Sequence, residues 1–186
     1  RLLDAFDESP YRDNTIIVLF SDHGFHLGEK QRWAKQSLWE RSTRVPLIVS
    51  VPEGLRGATC KRPVELLSLY PTLVELCDLP QPQGLEGVSL SPLLSDPNAD
   101  WQHTAITTYQ ANNHAVRSDR YRYIRYADGS EELYDHQIDP REWNNLASQA
   151  EFAEIMQGHA KFIPEVNVPA AQVDRVRKRR ATRKPK

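Results

Sequence analysis

The hydrophobic residues of the chain follow two different patterns, one in each half. Residues 15–20 and 45–51 are continuous apolar runs, rich in β-branched side chains and without alternation. Such runs are typical of strands covered on both faces by helices in a mostly parallel sheet. We therefore predict that these two strands are neighbours in one mostly parallel α/β sheet flanked by helices. Residues 71–76 show an apolar helical pattern with a proline in the first turn, and Cys77 at its end is expected to be buried.

The pattern changes near residue 100, where short alternating runs replace the continuous ones. Turn residues such as Asp128 and Gly129 separate the runs, which is typical of antiparallel strands joined by tight turns. The sequence therefore predicts an antiparallel meander of about four strands with one face open to solvent. A helix over residues 149–162 is expected to pack on the other face. The predicted strands cover residues 105–109, 114–117, 121–126 and 132–135.

Charge divides the chain differently from hydrophobicity. The last twelve residues carry eight Lys or Arg and no acid, whereas residues 1–174 carry 16 basic and 25 acidic residues. A basic run can bind nucleic acid, but this one offers little apolar surface to bury, so we predict a disordered tail and no nucleic-acid partner. We assign residues 1–100 to the α/β core, 101–165 to the antiparallel subdomain and 166–186 to the tail. No apolar stretch reaches the roughly 18 residues of a membrane span.

Asp22 and His23 follow directly after the first predicted strand. Ligands of open α/β sheets bind at the carboxyl ends of the strands, where a carboxylate can hold a hard divalent cation and a histidine can add a ligand or a hydrogen bond. Taken alone, Asp-His-Gly is equally typical of a turn in which the aspartate caps the backbone. Lys35 lies thirteen residues beyond Asp22 in a polar stretch. Its ammonium suits a tetrahedral oxyanion such as sulfate or phosphate, although most lysines are simply exposed on the surface.

Two longer motifs make the chain similar to a known family. Residues 21–30 (SDHGFHLGEK), together with Trp33, Lys35 and parts of residues 38–47, resemble the metal and sulfate motif of sulfatases. The match is closest to the iduronate-2-sulfatase and choline-sulfatase-like branch of that family. Residues 132–147 contain ELYD, DPRE and NLA, and they are similar to the stretch that closes the sulfatase domain. The resemblance extends over residues 1–165.

The resemblance implies an α/β core of the alkaline phosphatase superfamily, followed by a small antiparallel sheet plus helix subdomain. It also implies an iduronate-2-sulfatase-like hydrolase of sulfuric esters that removes sulfate from a sulfated sugar. By this resemblance Asp22 and His23 would bind a calcium ion, and Lys35 would contact a sulfate oxygen. His23 and Lys35 would then be the catalytic residues within this chain. The family also implies a periplasmic, secreted or lysosomal protein, whose signal segment would precede this sequence.

The nucleophile that the resemblance implies is not in the sequence. Sulfatases use a formylglycine made from the Cys of a C-x-P-S-R motif, whose hydrated aldehyde attacks sulfur and later expels the sulfate. Cys60 is followed by KRPV, which is not that motif. The nucleophile and the family's paired metal-binding aspartates would therefore lie upstream, and we expect this chain alone to be inactive.

Three further residues are candidates for contact with the substrate. His26 could donate a proton to the leaving oxygen, or it could orient the metal-binding loop. His114 and Arg117 could bind a sugar carboxylate from the antiparallel sheet, or they could belong to an ordinary strand face. Glu29 is expected to hold the loop by hydrogen bonds rather than to act as an acid.

Two other functions fit the same motif. A phosphodiesterase or phosphonate hydrolase of the same superfamily also uses an Asp-His-Gly turn. A non-catalytic relative could bind a sulfated glycan without hydrolysing it. An upstream C-x-P-S-R motif would indicate the sulfatase, a Thr or Ser at its Cys position would indicate phosphate chemistry, and neither Cys nor Ser would indicate a binding protein.

Overall fold

The computed structural model describes residues 1–169, so most of the predicted basic tail lies outside the described residues. The helices are α1 (Leu2–Asp7), α2 (Glu40–Thr43), α3 (Leu69–Leu76), α4 (Ser91–Ser95) and α5 (Ala153–Ala160), with short 3-10 turns at Glu29–Gln31, Leu66–Ser68 and Ala150–Phe152. The strands are β1 (Ile17–Phe20), β2 (Leu47–Ser50), β3 (Ala105–Thr108), β4 (His114–Arg117), β5 (Tyr121–Arg125) and β6 (Glu131–Asp135). The four-residue helix α2 is the longest helical segment between β1 and β2.

Strands β1 and β2 are neighbours, as predicted, but they run antiparallel to each other. Their register pairs Ile17 with Ser50 and Phe20 with Leu47. The expectation of a parallel pair was wrong for these two strands. A parallel pair requires a crossover, which is usually a long helix, whereas residues 21–46 form a return loop. An apolar run can locate a strand but does not fix its direction.

The expected burial of β1 and β2 on both faces is not seen in the part of the chain that the structure describes. Phe20 is 51% exposed and Ile48 is 60% exposed. The two strands form a two-stranded sheet, so no helical layer covers these side chains among residues 1–169. The sheet therefore presents an apolar surface beside the turn that follows β1.

Helix α3 begins two residues before its proline. Pro71 is the third residue of the helix, where its missing N–H would have no partner within the helix in any case. The buried face of α3 includes Pro71, Thr72 and Val74. Cys77 is exposed, contrary to expectation, because the helix ends at Leu76 and the cysteine lies in the turn that follows.

The second sheet is a four-stranded antiparallel meander in the order β3-β4-β5-β6. All three pairings are antiparallel and join consecutive strands, for example Ala115 with Ile124 and Tyr123 with Leu133. Short turns such as the one at Asp128 and Gly129 connect the strands, and Gly129 has a φ of 84°, which favours glycine. The predicted meander and its strand positions are confirmed.

Both faces of this sheet are covered. Helix α5 packs on one face, as predicted, through a cluster of Val116, Tyr123, Leu133, Met156 and Ile163. The other face was expected to be open to solvent, and that expectation was wrong. Leu38, only 2% exposed, packs there with Ala115, Ile124 and Tyr134. Burying one leucine contributes about 1.5–3 kcal/mol, so this contact attaches the loop between β1 and β2 to the antiparallel sheet.

No helix among residues 1–169 is both long enough and apolar enough to cross a membrane.

Candidate active site

The turn after β1 carries Asp22, His23 and Gly24, and its backbone conformation fixes the histidine ring. The Ser21 hydroxyl donates to the carbonyl of His23 at 2.9 Å. His23 Nδ1 lies 2.8 Å from the carbonyl oxygen of Gly24, so in the neutral ring Nδ1 carries the proton and donates. The lone pair of Nε2 is therefore available to a metal ion or to a donor.

Gly24 allows this turn to contact the loop that precedes β2. A Cβ atom at this position would lie 2.0 Å from the carbonyl oxygen of Arg41, a distance that no side chain tolerates. The Gly24 N–H donates to the Ser42 carbonyl at 2.8 Å. The glycine is therefore required by close backbone approach, which holds the Asp22–His23 turn against residues 41–44.

Lys35, His23 and Asp22 meet at the protein surface. Lys35 Nζ lies 2.7 Å from His23 Nε2, and His23 Nε2 lies 3.5 Å from Asp22 Oδ2. The Asp22 side chain is 81% exposed and that of His23 is 34% exposed. A cation, an imidazole lone pair and a carboxylate thus share one solvent-accessible position. The three residues that the sequence pointed to are brought together by the return loop.

His26 lies behind this group and is only 1% exposed. Its Nε2 is 2.9 Å from the Ser37 hydroxyl, and its Nδ1 is 3.3 Å from the Glu29 carbonyl oxygen. Burial lowers the pKa of His26 below its ordinary value, which favours the neutral ring. Both ring nitrogens face protein groups, which favours the orienting role over proton donation to a leaving group.

Glu29 holds the loop by hydrogen bonds. Its carboxylate accepts from the Leu27 N–H at 2.7 Å and pairs with Arg41 at 2.8 Å. The backbone hydrogen bond from Leu27 is the main cause that lowers the pKa of Glu29 below its ordinary value. A carboxylate held in the ionised form is a poor proton donor, so this geometry agrees with a structural role.

His114 and Arg117 lie on opposite faces of β4, and their contacts do not include the Asp22–His23–Lys35 group. His114 is 2% exposed and contacts the Thr108 hydroxyl at 2.9 Å and Asn167 Oδ1 at 2.8 Å. Arg117 lies on the face towards the loop, with its Nε 3.7 Å from Glu40 Oε2. Their predicted contact with a sugar carboxylate stays a prediction, and these neighbours favour the alternative of an ordinary strand face.

The residues of this chain fit part of a calcium site. Asp22 offers an exposed carboxylate, and His23 Nε2 offers a lone pair beside it. Calcium takes 6–8 oxygen ligands, which these two side chains cannot supply. A second group of potential ligands, Glu40, His136 and Glu142, lies elsewhere in the described structure. Arg122 Nε is 2.7 Å from Glu142 Oε1 in that group, so a guanidinium already neutralises those carboxylates.

The sequence did not single out the side chains that join the loop to the antiparallel sheet. Lys30 Nζ lies 4.8 Å from the Trp39 ring centroid and 4.5 Å from that of Tyr134, and it donates to the Tyr134 hydroxyl at 3.1 Å. Burial lowers the pKa of Lys30 below its ordinary value. Arg122 and Glu142 form the second connection. The signal that could have found Glu142 is the DPRE motif, in which it is the glutamate.

A cavity of about 440 Å³ lies between the loop and the DPRE turn. It is lined by residues 24–26, 29–30, 39–41, 44 and 140–142. Asp22, His23 and Lys35 do not line it, so the candidate active site is the exposed group rather than this cavity.

Known proteins resemble the chain along most of its length. Residues 28–167 match the family described as N-sulphoglucosamine sulphohydrolase, C-terminal. A sulfatase of Formosa agariphila is 46% identical over 167 residues, covering 90% of this chain and 33% of that protein. An N-acetylglucosamine-6-O-sulfatase of Bacteroides thetaiotaomicron is 30% identical over 175 residues, covering 84% of this chain and 31% of that protein. The chain spans about a third of the length of the curated relatives it matches.

Solved structures confirm the predicted fold class, an α/β fold with a small antiparallel subdomain. A protein solved in complex with its substrate D-glucosamine-2-N,6-O-disulfate matches with a TM-score of 0.75 and 29% identity, covering 87% of this chain and 35% of that one. A phosphonate monoester hydrolase of Agrobacterium radiobacter matches with a TM-score of 0.77 and 24% identity, covering 87% and 36%. The likeness to the phosphonate monoester hydrolase shows only that the two proteins share a fold. Because one fold serves both kinds of protein, the residues of the site must decide the chemistry.

Proposed function

The chain belongs to the sulfatase family, and from that premise we propose that the protein carrying it hydrolyses the sulfate ester of a sulfated sugar. The observation that supports the proposal most strongly is the 2.7 Å contact between Lys35 Nζ and His23 Nε2 beside the Asp22 carboxylate. A compact cation next to a ligand for a hard metal suits a transferred group whose oxygens gain negative charge during the reaction.

In the proposed mechanism, Lys35 binds an oxygen of the transferred sulfuryl group. The ammonium is exposed and carries three donors, so it can leave His23 Nε2 for a sulfate oxygen at little cost. Its charge is worth most where negative charge develops, which is in the transition state rather than in the bound substrate. Lys35 therefore acts on turnover more than on binding.

Asp22 and His23 are the residues of this chain that would hold a calcium ion. A bound calcium would neutralise charge on the substrate and nucleophile. The Nδ1–H bond to the Gly24 carbonyl orients the His23 ring and leaves Nε2 with a lone pair, which could take this role once Lys35 has moved to the substrate. We further propose that a formylglycine in the segment preceding this chain supplies the nucleophile, as the family resemblance implies.

Among sulfated sugars, we propose a 2-O-sulfated uronic acid, as the resemblance to the iduronate-2-sulfatase group implies. A periplasmic, secreted or lysosomal location is proposed on the same ground. A phosphonate or phosphodiester hydrolase is the second candidate, and it is supported by the likeness in fold to a phosphonate monoester hydrolase.

The test uses the complete enzyme, loaded with calcium, and a panel of substrates that separates these candidates. The panel contains a 2-O-sulfated uronate disaccharide, a 6-O-sulfated N-acetylglucosamine, an aryl sulfate and an aryl phosphonate monoester. Released sulfate or phosphonate product is measured by ion chromatography, with Lys35→Ala as the control for site-dependent turnover.

We expect sulfate release from at least one sugar substrate, fastest for the 2-O-sulfated uronate. Faster turnover of the phosphonate would favour the second candidate. Tight binding of the sulfated sugars without release of sulfate would indicate a glycan-binding protein instead.

A further inference from the structure

Two charged side chains, one on β5 and one in the DPRE turn after β6, hold the loop segment that follows Lys35. Arg122, on β5, is 3% exposed, and its guanidinium donates to the Leu38 carbonyl at 3.0 Å. The same guanidinium pairs with the Glu40 carboxylate, and its Nε lies 2.7 Å from Glu142 Oε1. Glu142, 1% exposed, accepts the Glu40 N–H at 2.9 Å. Both peptide groups that flank Trp39 are thus held, one from β5 and the other from the DPRE turn.

A chain of hydrogen bonds continues from this segment to the candidate active site. The Ser37 hydroxyl donates to Ser42 at 2.8 Å and contacts His26 Nε2 at 2.9 Å. The His26 N–H donates to the Ala34 carbonyl at 3.0 Å, and the Gly24 N–H donates to the Ser42 carbonyl at 2.8 Å. Lys35 lies between Ala34 and Ser37, so its backbone is fixed on both sides by these bonds.

Stability alone is a weak explanation for this buried charge network. A buried ion pair loses hydration, and well-packed apolar residues of similar size are often at least as stabilising. The apolar contact of Leu38 already attaches the loop to the sheet. What a guanidinium adds is direction, because its two terminal nitrogens donate to the Leu38 carbonyl and the Glu40 carboxylate at fixed angles, while Glu142 lies beside Nε as a charge partner. The network therefore determines where residues 38–40 lie relative to the antiparallel sheet, whereas the apolar contact of Leu38 already attaches them to it.

We propose that Arg122 and Glu142 are positioning residues that set Lys35 against His23 without touching the substrate. The C-terminal subdomain would then control turnover at a site built from the loop after β1. The proposal rests on the proposed function only in the role that it gives to Lys35. The contacts of Arg122 and Glu142 with residues 38–40 do not depend on any substrate.

The test in the complete enzyme uses two variants that keep the charge and change the shape or the length of the side chain. Arg122→Lys removes the fork, and Glu142→Asp shortens the carboxylate arm by one methylene. Glu142→Gln is the rescue variant, because it keeps the arm length and an acceptor for the Glu40 N–H. Asp135→Asn is the matched control, since Asp135, on β6, is 2% exposed and pairs at 2.6 Å with Arg120 in the turn before β5.

We expect kcat to fall about tenfold or more in Arg122→Lys and Glu142→Asp, as small displacements of reacting groups cause large losses. KM should change by less than about threefold, since the loss falls on transition-state stabilisation. Glu142→Gln should recover most of the lost kcat, and Asp135→Asn should keep parental kcat even if its melting temperature falls. Parental kcat in both shortened variants, or an equal loss in Asp135→Asn, would overturn the proposal.

Hydrogen exchange followed by mass spectrometry gives a readout that does not depend on activity. Peptides covering residues 36–42 should exchange faster in Arg122→Lys and Glu142→Asp than in the parent, and they should be unchanged in Asp135→Asn. Unchanged exchange in both shortened variants would show that these residues do not hold the segment. If the parent enzyme cleaves no sulfate ester, the proposed function fails, while the exchange experiment still decides whether the segment is held.

Discussion

Replacing Lys35 tests the central assignment of the site. Its Nζ lies 2.7 Å from His23 Nε2 on an exposed surface, so the ammonium can reach a group bound beside Asp22. Two full charges 4 Å apart interact by about 4 kcal/mol at an effective dielectric constant near 20. Only the charge that develops between the bound substrate and the transition state affects kcat, so only a part of this Coulomb energy contributes to kcat. Removing one oxyanion donor typically costs about 100-fold or more, or ~2.7 kcal/mol.

We expect the same substitution to have little effect on the stability of the folded protein. Lys35 is exposed, and surface substitutions usually alter stability by less than about 0.5 kcal/mol. We therefore expect Lys35→Ala and Lys35→Met to reduce kcat about 100-fold or more while the melting temperature stays within about 2 °C of the parent. The methionine variant keeps the length of the side chain and removes only the charge.

The assay measures hydrolysis of an aryl sulfate and of a sulfated disaccharide by the complete enzyme, beside thermal unfolding of each variant. Lys61→Ala is the matched control, because Lys61 is also exposed and lies outside the Asp22–His23–Lys35 group. Lys30 is unsuitable as a control, since its ammonium packs against Trp39 and Tyr134. Parental kcat in both Lys35 variants would refute the reasoning and reduce Lys35 to a surface residue.

Three further predictions follow from the same geometry. Asp22→Asn removes a charged oxygen ligand, so calcium titration of the complete enzyme should show weaker binding together with lower activity, and unchanged calcium affinity would remove Asp22 from the site. Gly24→Ala places a Cβ 2.0 Å from the Arg41 carbonyl oxygen, so its melting temperature and kcat should both fall, and parental values would contradict the close approach. The Arg120 hydrogen bonds lower the pKa of Asp135. Burial acts to raise the pKa of Glu40, but the charges of Arg122, His136 and Arg117 and the hydrogen bond from Arg122 together lower it. Both carboxylates therefore stabilise the folded state above their unfolded pKa values of about 4, and the melting temperature should drop as pH falls below that range, less steeply in Asp135→Asn.

The sequence predicted the features that depend on neighbouring residues. The end of an apolar run located the Asp22–His23 turn, and alternation with turn residues located all four strands of the meander. The contacts that the sequence did not predict join residues that lie far apart along the chain. Arg122 reaches a carbonyl 84 residues before it, and Lys30 contacts a tyrosine 104 residues after it. An apolar run likewise located β1 and β2, but it did not show that the partner strand is antiparallel or that side chains such as Phe20 are exposed among the described residues.

The covered face of the meander shows why the local prediction failed there. Alternation along β5 places Arg122 on the same face as Ile124, and an arginine in an alternating strand ordinarily indicates a face open to water. Here the arginine is buried because Leu38 and Glu40 approach from the loop after β1 and accept hydrogen bonds from the two terminal nitrogens of its guanidinium. A charged side chain can occupy a buried face when its partners arrive from elsewhere in the chain.

The irregular loop between β1 and β2 explains why the exposed Lys35 depends on buried side chains to fix its backbone. Between β1 and β2 the chain has one helix of four residues, α2, and a single 3-10 turn, so regular backbone hydrogen bonds cannot fix Lys35. Ordering a lysine side chain costs about 1.5–2 kcal/mol in lost rotamer freedom, and an exposed lysine gains little burial to offset it. If the surrounding backbone also moved, each catalytic cycle would have to order both. In the proposed mechanism, holding the backbone through Gly24, Ser37 and the Arg122–Glu142 pair would confine that cost to folding and would leave only the lysine side chain to move from His23 to the substrate.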